Sequence, residues 1–200
     1  MACVGRVIAR PFIGEPGAFV RTGNRRDFSA MMPGDTMLDV IECAGMDVVA
    51  IGKIEDIFAH RGITRSDHAA GNPACMEAAR REYERGFHGL EFVNLVDFDM
   101  LYGHRRDPAG YANALLEFDK WLSGMLSEIG PRDLIMITAD HGCDPKHAGS
   151  DHTREHVPLV MYSPSLTPGG VGTREGFYDF EATVLDALGI KSTLPGVSCL

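Results

Sequence analysis

The feature that most constrains this chain is a pair of apolar runs enclosing a loop dense in histidine and aspartate. Asp133-Leu134-Ile135-Met136-Ile137 leads into Thr138-Ala139-Asp140-His141-Gly142-Cys143-Asp144. After Gly149-Ser150-Asp151-His152-Thr153-Arg154-Glu155 the chain returns to Val157-Pro158-Leu159-Val160-Met161-Tyr162. Short apolar runs bounded by polar loops read as buried strands. In an open α/β sheet, ligands sit just beyond the carboxyl ends of the strands, and Asp140 and His141 fall at that place. Upstream, Phe92-Val93-Asn94-Leu95-Val96 repeats the arrangement and feeds Asp97, Asp99 and His104.

The segments between these runs have helical character. Asp107-Pro108-Ala109-Gly110 opens the longest one, where Tyr111, Leu115, Leu116, Phe118, Trp121, Leu122, Met125 and Leu126 recur at helical spacing and read as core packing. Strand, helix and strand from Leu90 to Thr138 predict a βαβ unit with a right-handed crossover. Earlier, Asp35 or Thr36 caps a helix that Gly45 closes, and Asp47 to Gly52 reads as a short buried strand followed by Lys53. Residues 60–72 read as a polar loop, with His60 and His68 on the surface and without carboxylate partners. Pro73 to Arg85 and Phe177 to Leu188 read as further helices. The fold class expected is α/β. A boundary is expected at Gly86 to Gly89, dividing residues 1–87 from residues 88–200.

The totals narrow the function. A net charge of −9 argues against a basic face for nucleic acid. No run of about 18 apolar residues is present, so no membrane span is expected, and the first residues lack the apolar stretch of a signal peptide. The five cysteines are scattered and odd in number, which favours free thiols and a reducing cytoplasm.

Carboxylates and imidazoles together suit Mn²⁺, Zn²⁺ or Fe²⁺ better than Ca²⁺, which prefers oxygen alone. The candidate ligands are Asp99, His104, Asp140, His141 and His152. They exceed what one tetrahedral site needs, and a pair of ions is the usual apparatus for phosphoryl transfer. Asp97, Asp144 and Asp151 are weaker candidates: Asp97 fits a supporting role and Asp151 a turn cap. His147 and His156 read as loop residues, and Cys143 has no second cysteine nearby to make a zinc site. An Asp-His-Gly tripeptide alone is often only a structural hydrogen-bonded pair; two such clusters at two strand ends make metal binding the stronger reading. Arg21, Arg25 and Arg26 in a glycine-containing loop read either as a solvated surface or as a phosphate grip. Lys53, at a strand end, is placed to meet an anion.

Asn94-Leu-Val-Asp-Phe-Asp-Met-Leu-Tyr-Gly-His-Arg-Arg-Asp107, Thr138-Ala-Asp-His-Gly142 and Asp151-His-Thr-Arg-Glu155 resemble the signature segments of phosphopentomutase, in the alkaline phosphatase superfamily. Gly5-Arg-Val-Ile-Ala-Arg-Pro-Phe-Ile-Gly14 and Ile51-Gly-Lys-Ile-Glu-Asp56 resemble that family's cap. The resemblance implies an alkaline-phosphatase-like, mostly parallel sheet flanked by helices (residues 88–200, the metal-binding core) and part of a smaller α/β cap that binds substrate (residues 1–87). It implies a cytoplasmic isomerase that interconverts ribose or deoxyribose 1-phosphate and 5-phosphate, through two Mn²⁺ ions and a phosphorylated threonine. By the same resemblance Asp99, His104 and His152 match the ligands of one ion, Asp140 and His141 those of the other, and Arg6, Arg21 and Lys53 the groups that hold the sugar phosphate.

The family's opening strand, with its metal-binding Asp, and its nucleophilic threonine have no counterpart in this sequence. No catalytic nucleophile is assigned here; Thr138 and Thr153 already belong to metal segments. The expectation is a C-terminal portion, truncated or separately encoded, with a second metal site one carboxylate short and an exposed sheet edge. Its partner would then be an N-terminal fragment in trans, and its activity alone is in doubt. The rival readings are another metal-dependent phosphomutase or phosphodiesterase of the superfamily, which the Arg6 to Pro11 segment disfavours, and a non-catalytic metal-binding remnant, which the missing nucleophile favours.

Overall fold

The computed structural model describes residues 5–22, 26–30, 32–191 and 194–200. Its first elements are two antiparallel β-pairs, β1 (Arg6–Ala9) with β4 (Arg26–Ser29) and β2 (Phe12–Ile13) with β3 (Val20–Arg21). Pro11 separates β1 from β2, as suits a residue that cannot donate to a ladder. Phe12 meets Phe19 edge-on at 5.0 Å, yet Val7, Phe12, Ile13, Val20 and Phe28 each keep more than half of their surface exposed. Arg25 lies outside the described residues, as do the side chains of Arg6, Arg21 and Arg26.

The layered part follows: α1 (Met37–Cys43), β5 (Asp47–Ile51), α2 (Ile54–Ile57), β6 (Arg65–Asp67), α3 (Asn72–Arg85) and β7 (Gly89–Val93). After a π-helical turn, Phe98–Gly103, come α4 (Pro108–Leu126), β8 (Ile135–Ile137), β9 (Val160–Tyr162) and α5 (Tyr178–Ala187). Helix α1 starts at a reciprocal cap: Thr36 N donates to Asp39 Oδ2 at 2.8 Å, and the Thr36 hydroxyl accepts from Asp39 N.

Strand β5 sets the layers. Successive strand residues face opposite sides, and β5 is apolar on both. Val48 and Ala50 pack with Met37, Leu38 and Ile41 of α1 and with Val184 and Leu185 of α5. Val49 and Ile51 pack with Cys75, Ala78 and Ala79 of α3 and with Trp121 of α4. A strand covered on both faces suits a parallel sheet, and β6, β5 and β7 form one, in that order and all parallel. The expected α/β class, a parallel sheet with helices on its faces, is therefore what the chain adopts.

Three details differ from expectation. Strand β6 lies in the segment read as a loop; Arg65-Ser66-Asp67 has no apolar signal because it is a polar edge strand. The second is a pairing the sequence does not show: Asp47 to Ile51 of β5 pair with Gly89 to Val93 of β7 throughout, so one sheet draws on residues to either side of 87/88, and the division there stays a proposal. Third, β8 pairs antiparallel with β9 and makes no ladder with β7, although Met136 packs against the same core as Leu90 and Phe92. The free edges of β7 and β8 thus carry no strand among the described residues. His60 and His68 are exposed as expected but not unpartnered: the Glu55 carboxylate takes His60 Nδ1 at 3.3 Å and His68 Nε2 at 3.0 Å.

One row across the sheet holds Arg65, Val49 and Glu91 in register. Arg65 donates to Glu82 at 3.1 Å, while Glu91 Oε2 is buried without a hydrogen-bond partner. Burial, helped by the Glu82 charge and opposed by Arg65, pushes the Glu91 carboxyl up to about 8. The folded chain therefore holds a proton that the unfolded chain releases near the ordinary carboxylate range, so stability falls as pH rises from there to about 8. Replacing Glu91 by Gln is expected to remove this decline: the urea midpoint of the native chain drops between pH 5 and pH 9 by more than that of Glu91→Gln. Parallel declines in the two proteins would contradict the assignment.

Candidate metal centre

Parallel pairing puts the carboxyl ends of β5 and β7 at one rim. There Asn94 N donates to Ile51 O at 3.1 Å. Gly52 turns β5 out of the sheet at φ +80°, where a Cβ would stand 2.9 Å from the Asn94 carbonyl oxygen. Lys53 follows, and its Nζ lies 3.9 Å from Met100 Sδ, inside the π-helical turn. Helix α2, which Lys53 opens, lies against β4. The rim thus brings Lys53 beside the Asp99 segment. Arg6 and Arg21 are placed by backbone only, on β1 opposite Ser29 and on β3 opposite Phe12.

Asp97 is buried, and it works as a clasp. Asn72 N donates to Asp97 Oδ2 at 2.6 Å, and Asp97 N donates to Asn72 Oδ1 at 3.0 Å. Helix α3 begins after Gly71, which offers no capping side chain; the Asp97 carboxylate supplies that acceptor and its charge complements the helix N-terminus.

Asp99 and His104 are five residues apart, which in an α-helix would set them about 140° apart around the axis. The segment avoids this by closing an i to i+5 turn: His104 N donates to Asp99 O at 2.9 Å. Wide turns of this kind recur at functional sites. Gly103 permits the fit, since a Cβ there would sit 2.4 Å from Cys143 Sγ. The second segment folds back on itself through a bridge between Gly142 and Thr153, with Thr153 N donating to Gly142 O at 3.0 Å and Asp144 N donating to the Thr153 hydroxyl at 2.8 Å.

That return sets His152 between His141 and His104, with ring centroids 3.6 Å and 4.9 Å away. Asp99 Oδ1 lies 3.3 Å from Nε2 of both His104 and His152, yet it is buried and makes no hydrogen bond. The ligand atoms of Asp99, His104 and His152 all lie within 4.8 Å of one another. A carboxylate oxygen left unpaired while two ring nitrogens face it is the arrangement a shared cation would satisfy.

The ring tautomers agree. His104 Nδ1 lies 2.5 Å from Ser150 O, and His141 Nδ1 lies 3.0 Å from Gly142 O. A carbonyl can only accept, so each Nδ1 is the donor there and Nε2 is the ring nitrogen left to face the carboxylates. Asp140 stands beside this group, Oδ2 being 3.5 Å from His141 Nε2, with a largely exposed carboxylate. Sequence-expected ligands from both strand ends are therefore brought to one place: Asp99, His104 and His152 in contact, with Asp140 and His141 adjoining. Burial and the neighbouring Asp99 carboxylate push the Cys143 thiol up, against the pull of Arg106, which disfavours a competing thiolate. A cleft of about 520 Å³ opens next to His141, walled by Thr138, Arg154, Glu155, Arg174 and Phe177.

Sequence reading named the candidate ligands but not the groups that support them. The Ser150 carbonyl, the π-helical turn and the Cys143 contact leave no sequence pattern; the glycine of Gly103-His104 was the available signal. If Asp97 is the clasp described, Asp97→Ala leaves the buried Asn72 N–H unpaired and lowers stability by about 1–3 kcal/mol. Urea unfolding at neutral pH measures this, and a loss below about 0.5 kcal/mol, the range of ordinary surface changes, would contradict it.

Residues 22–192 match the model of the metalloenzyme superfamily. Curated phosphopentomutases are similar over nearly all of the chain. One from Anaeromyxobacter sp. (strain K) is 53% identical over 189 residues, covering 94% of this chain and 49% of the relative. One from Caldanaerobacter subterraneus subsp. tengcongensis is 51% identical over 198 residues, covering 98% and 50%, and one from Clostridium kluyveri is 48% identical over 195 residues, covering 97% and 50%. The chain spans about half the length of these relatives. With its clustered carboxylate and imidazoles at the rim of a parallel sheet, the chain belongs to the metalloenzyme superfamily and is a homologue of the phosphopentomutases.

Proposed function

We propose that this chain forms the metal-holding part of a phosphopentomutase, an isomerase interconverting ribose or deoxyribose 1-phosphate and 5-phosphate. The observation that carries this is the convergence of Asp99, His104 and His152, from two separate segments, around an unpaired buried oxygen. It occurs in a chain about half identical to proteins of that name.

The donor set fits Mn²⁺, a cation that accepts both oxygen and imidazole nitrogen. Asp99, His104 and His152 would hold one ion, with Asp140 and His141 contributing to a second that is one carboxylate short within residues 1–200. When bound, such ions supply charge stabilisation at a transferring phosphoryl group. The chain's own residues do the rest. His104 and His141 present fixed lone pairs because carbonyls hold their other nitrogens. Lys53 places an ammonium at the same rim, and Arg6 and Arg21 would add forked contacts to the sugar phosphate.

In this scheme residues 1–87 include the substrate-binding cap segments, carried by the β1–β4 pairs, and residues 88–200 hold the metal ligands. The nucleophilic threonine and the remaining carboxylate would come from polypeptide outside residues 1–200, in cis or as an N-terminal fragment in trans. The free edges of β7 and β8 and the exposed Leu115, Leu116, Val160 and Tyr162 support contact with such a segment. Cys43, Cys75, Cys143 and Cys199 are free thiols, which fits a cytoplasmic setting, and no helix among the described residues is long and apolar enough to cross a membrane.

The test joins residues 1–200 to the preceding half of the Anaeromyxobacter relative and follows ribose 1-phosphate by ³¹P NMR in Mn²⁺. Conversion to ribose 5-phosphate is expected, falling at least a hundredfold in His152→Ala. A folded fusion that isomerises phosphoglycerate instead, or that works equally well without His152, would overturn the proposal.

A further inference from the structure

Residues 144–152 carry His152 and the Ser150 carbonyl, and nothing apolar anchors them: residues 146–152 are exposed. Besides the His104–Ser150 contact and the stacked His152 ring, several of the loop's carbonyls are held by one side chain. Arg106 Nη1 donates to Asp144 O at 2.7 Å and to Gly103 O at 3.2 Å, Nη2 donates to Asp151 O at 3.0 Å, and Nε donates to Gly149 O. One guanidinium thus grips three carbonyls of the loop and one of the π-helical turn. The backbone of Arg106 sits at φ +55°, a left-handed conformation that a residue with a side chain adopts only when its surroundings compensate. The grip supplies that compensation.

We propose that Arg106 is a positioning residue for the metal triad: it fastens the 144–152 loop to the Phe98–Gly103 turn, so that His152 and His104 face Asp99 together. The path is direct. Arg106 bonds Gly149 and Asp151, the carbonyl between them belongs to Ser150, and that carbonyl receives the His104 Nδ1 proton. Releasing the loop would free His152 and remove the acceptor that orients His104 in one step. The neighbouring Arg105 is exposed and shows no such grip, although it carries the same charge.

Electrostatics makes the sign of the effect diagnostic. A guanidinium beside a cation site repels the cation, so deleting it for charge alone should tighten metal binding. Positioning predicts the opposite. This inference rests on reading Asp99, His104 and His152 as metal ligands, and two measurements on the 200-residue chain separate its failure from that of the reading.

The first is amide hydrogen exchange without metal. Arg106→Ala, and Arg106→Gly, which relieves the left-handed backbone, are each expected to speed exchange at residues 144–152 at least tenfold. Helix α3 should stay unchanged, and Arg105→Ala should resemble the native chain. Unchanged protection of the loop would overturn the proposal whatever the metal does. The second is Mn²⁺ titration by calorimetry. Both Arg106 variants are expected to bind at least tenfold more weakly than the native chain, within the range typical of groups that orient ligands, with Arg105→Ala within twofold of native. Equal or tighter binding by the Arg106 variants would overturn the positioning role. Failure of the native chain to bind Mn²⁺ would instead overturn the metal reading and leave exchange to judge the loop.

Discussion

The parallel pairing of β5 with β7 is the constraint on which the site depends. The ladder from Asp47↔Gly89 to Ile51↔Val93 fixes where both strands end, and the residues with chemistry follow within a few positions. Lys53 leaves β5 through Gly52; Asp97 and Asp99 leave β7 through Asn94, which is tied back to Ile51. Slipping the register by one residue would turn Val48 and Ala50 away from α1 and Val49 and Ile51 away from α3. With both faces of β5 buried, the register has little freedom.

From this rim the site is assembled by polar contacts rather than by apolar packing. Asp97 clasps the start of α3, the π-helical turn brings Asp99 and His104 to one side, and carbonyl oxygens select the ring tautomers. The strands beneath are buried on both faces at β5, whereas His152 is nearly half exposed and Asp140 largely so. A rigid sheet with mobile-capable loops above it is the usual division between support and function. Among the clustered side chains the Asp99 oxygen is buried and unpaired, and it is where the proposed cation would bind.

Much of this was legible in the residues. Apolar runs such as Val48 to Ile51 declare a buried strand, Asp35 or Thr36 declares a helix start, and Pro108 after Asp107 declares another. Asp and His just past two strand ends declared the candidate cluster, because strand ends are where ligands collect. What the residues did not declare was pairing. β6 is polar, so it looked like loop, and nothing local to Gly89 shows that it lies opposite Asp47 in the ladder. The partner of β8 was misjudged for a related reason: local pattern identifies a strand, but which neighbour it bonds depends on tertiary placement. The Arg106 grip was equally hidden, since all its partners are backbone carbonyls and carbonyls have no sequence.

The central claim is that Asp99, His104 and His152 share one divalent cation. Anomalous diffraction from crystals of the chain grown with Mn²⁺, collected at the manganese edge, tests it most directly. A single strong peak bonded to those three side chains is the predicted result. A peak elsewhere, or a well-ordered site with no peak and with the Asp99 oxygen paired to a protonated imidazole, would contradict it.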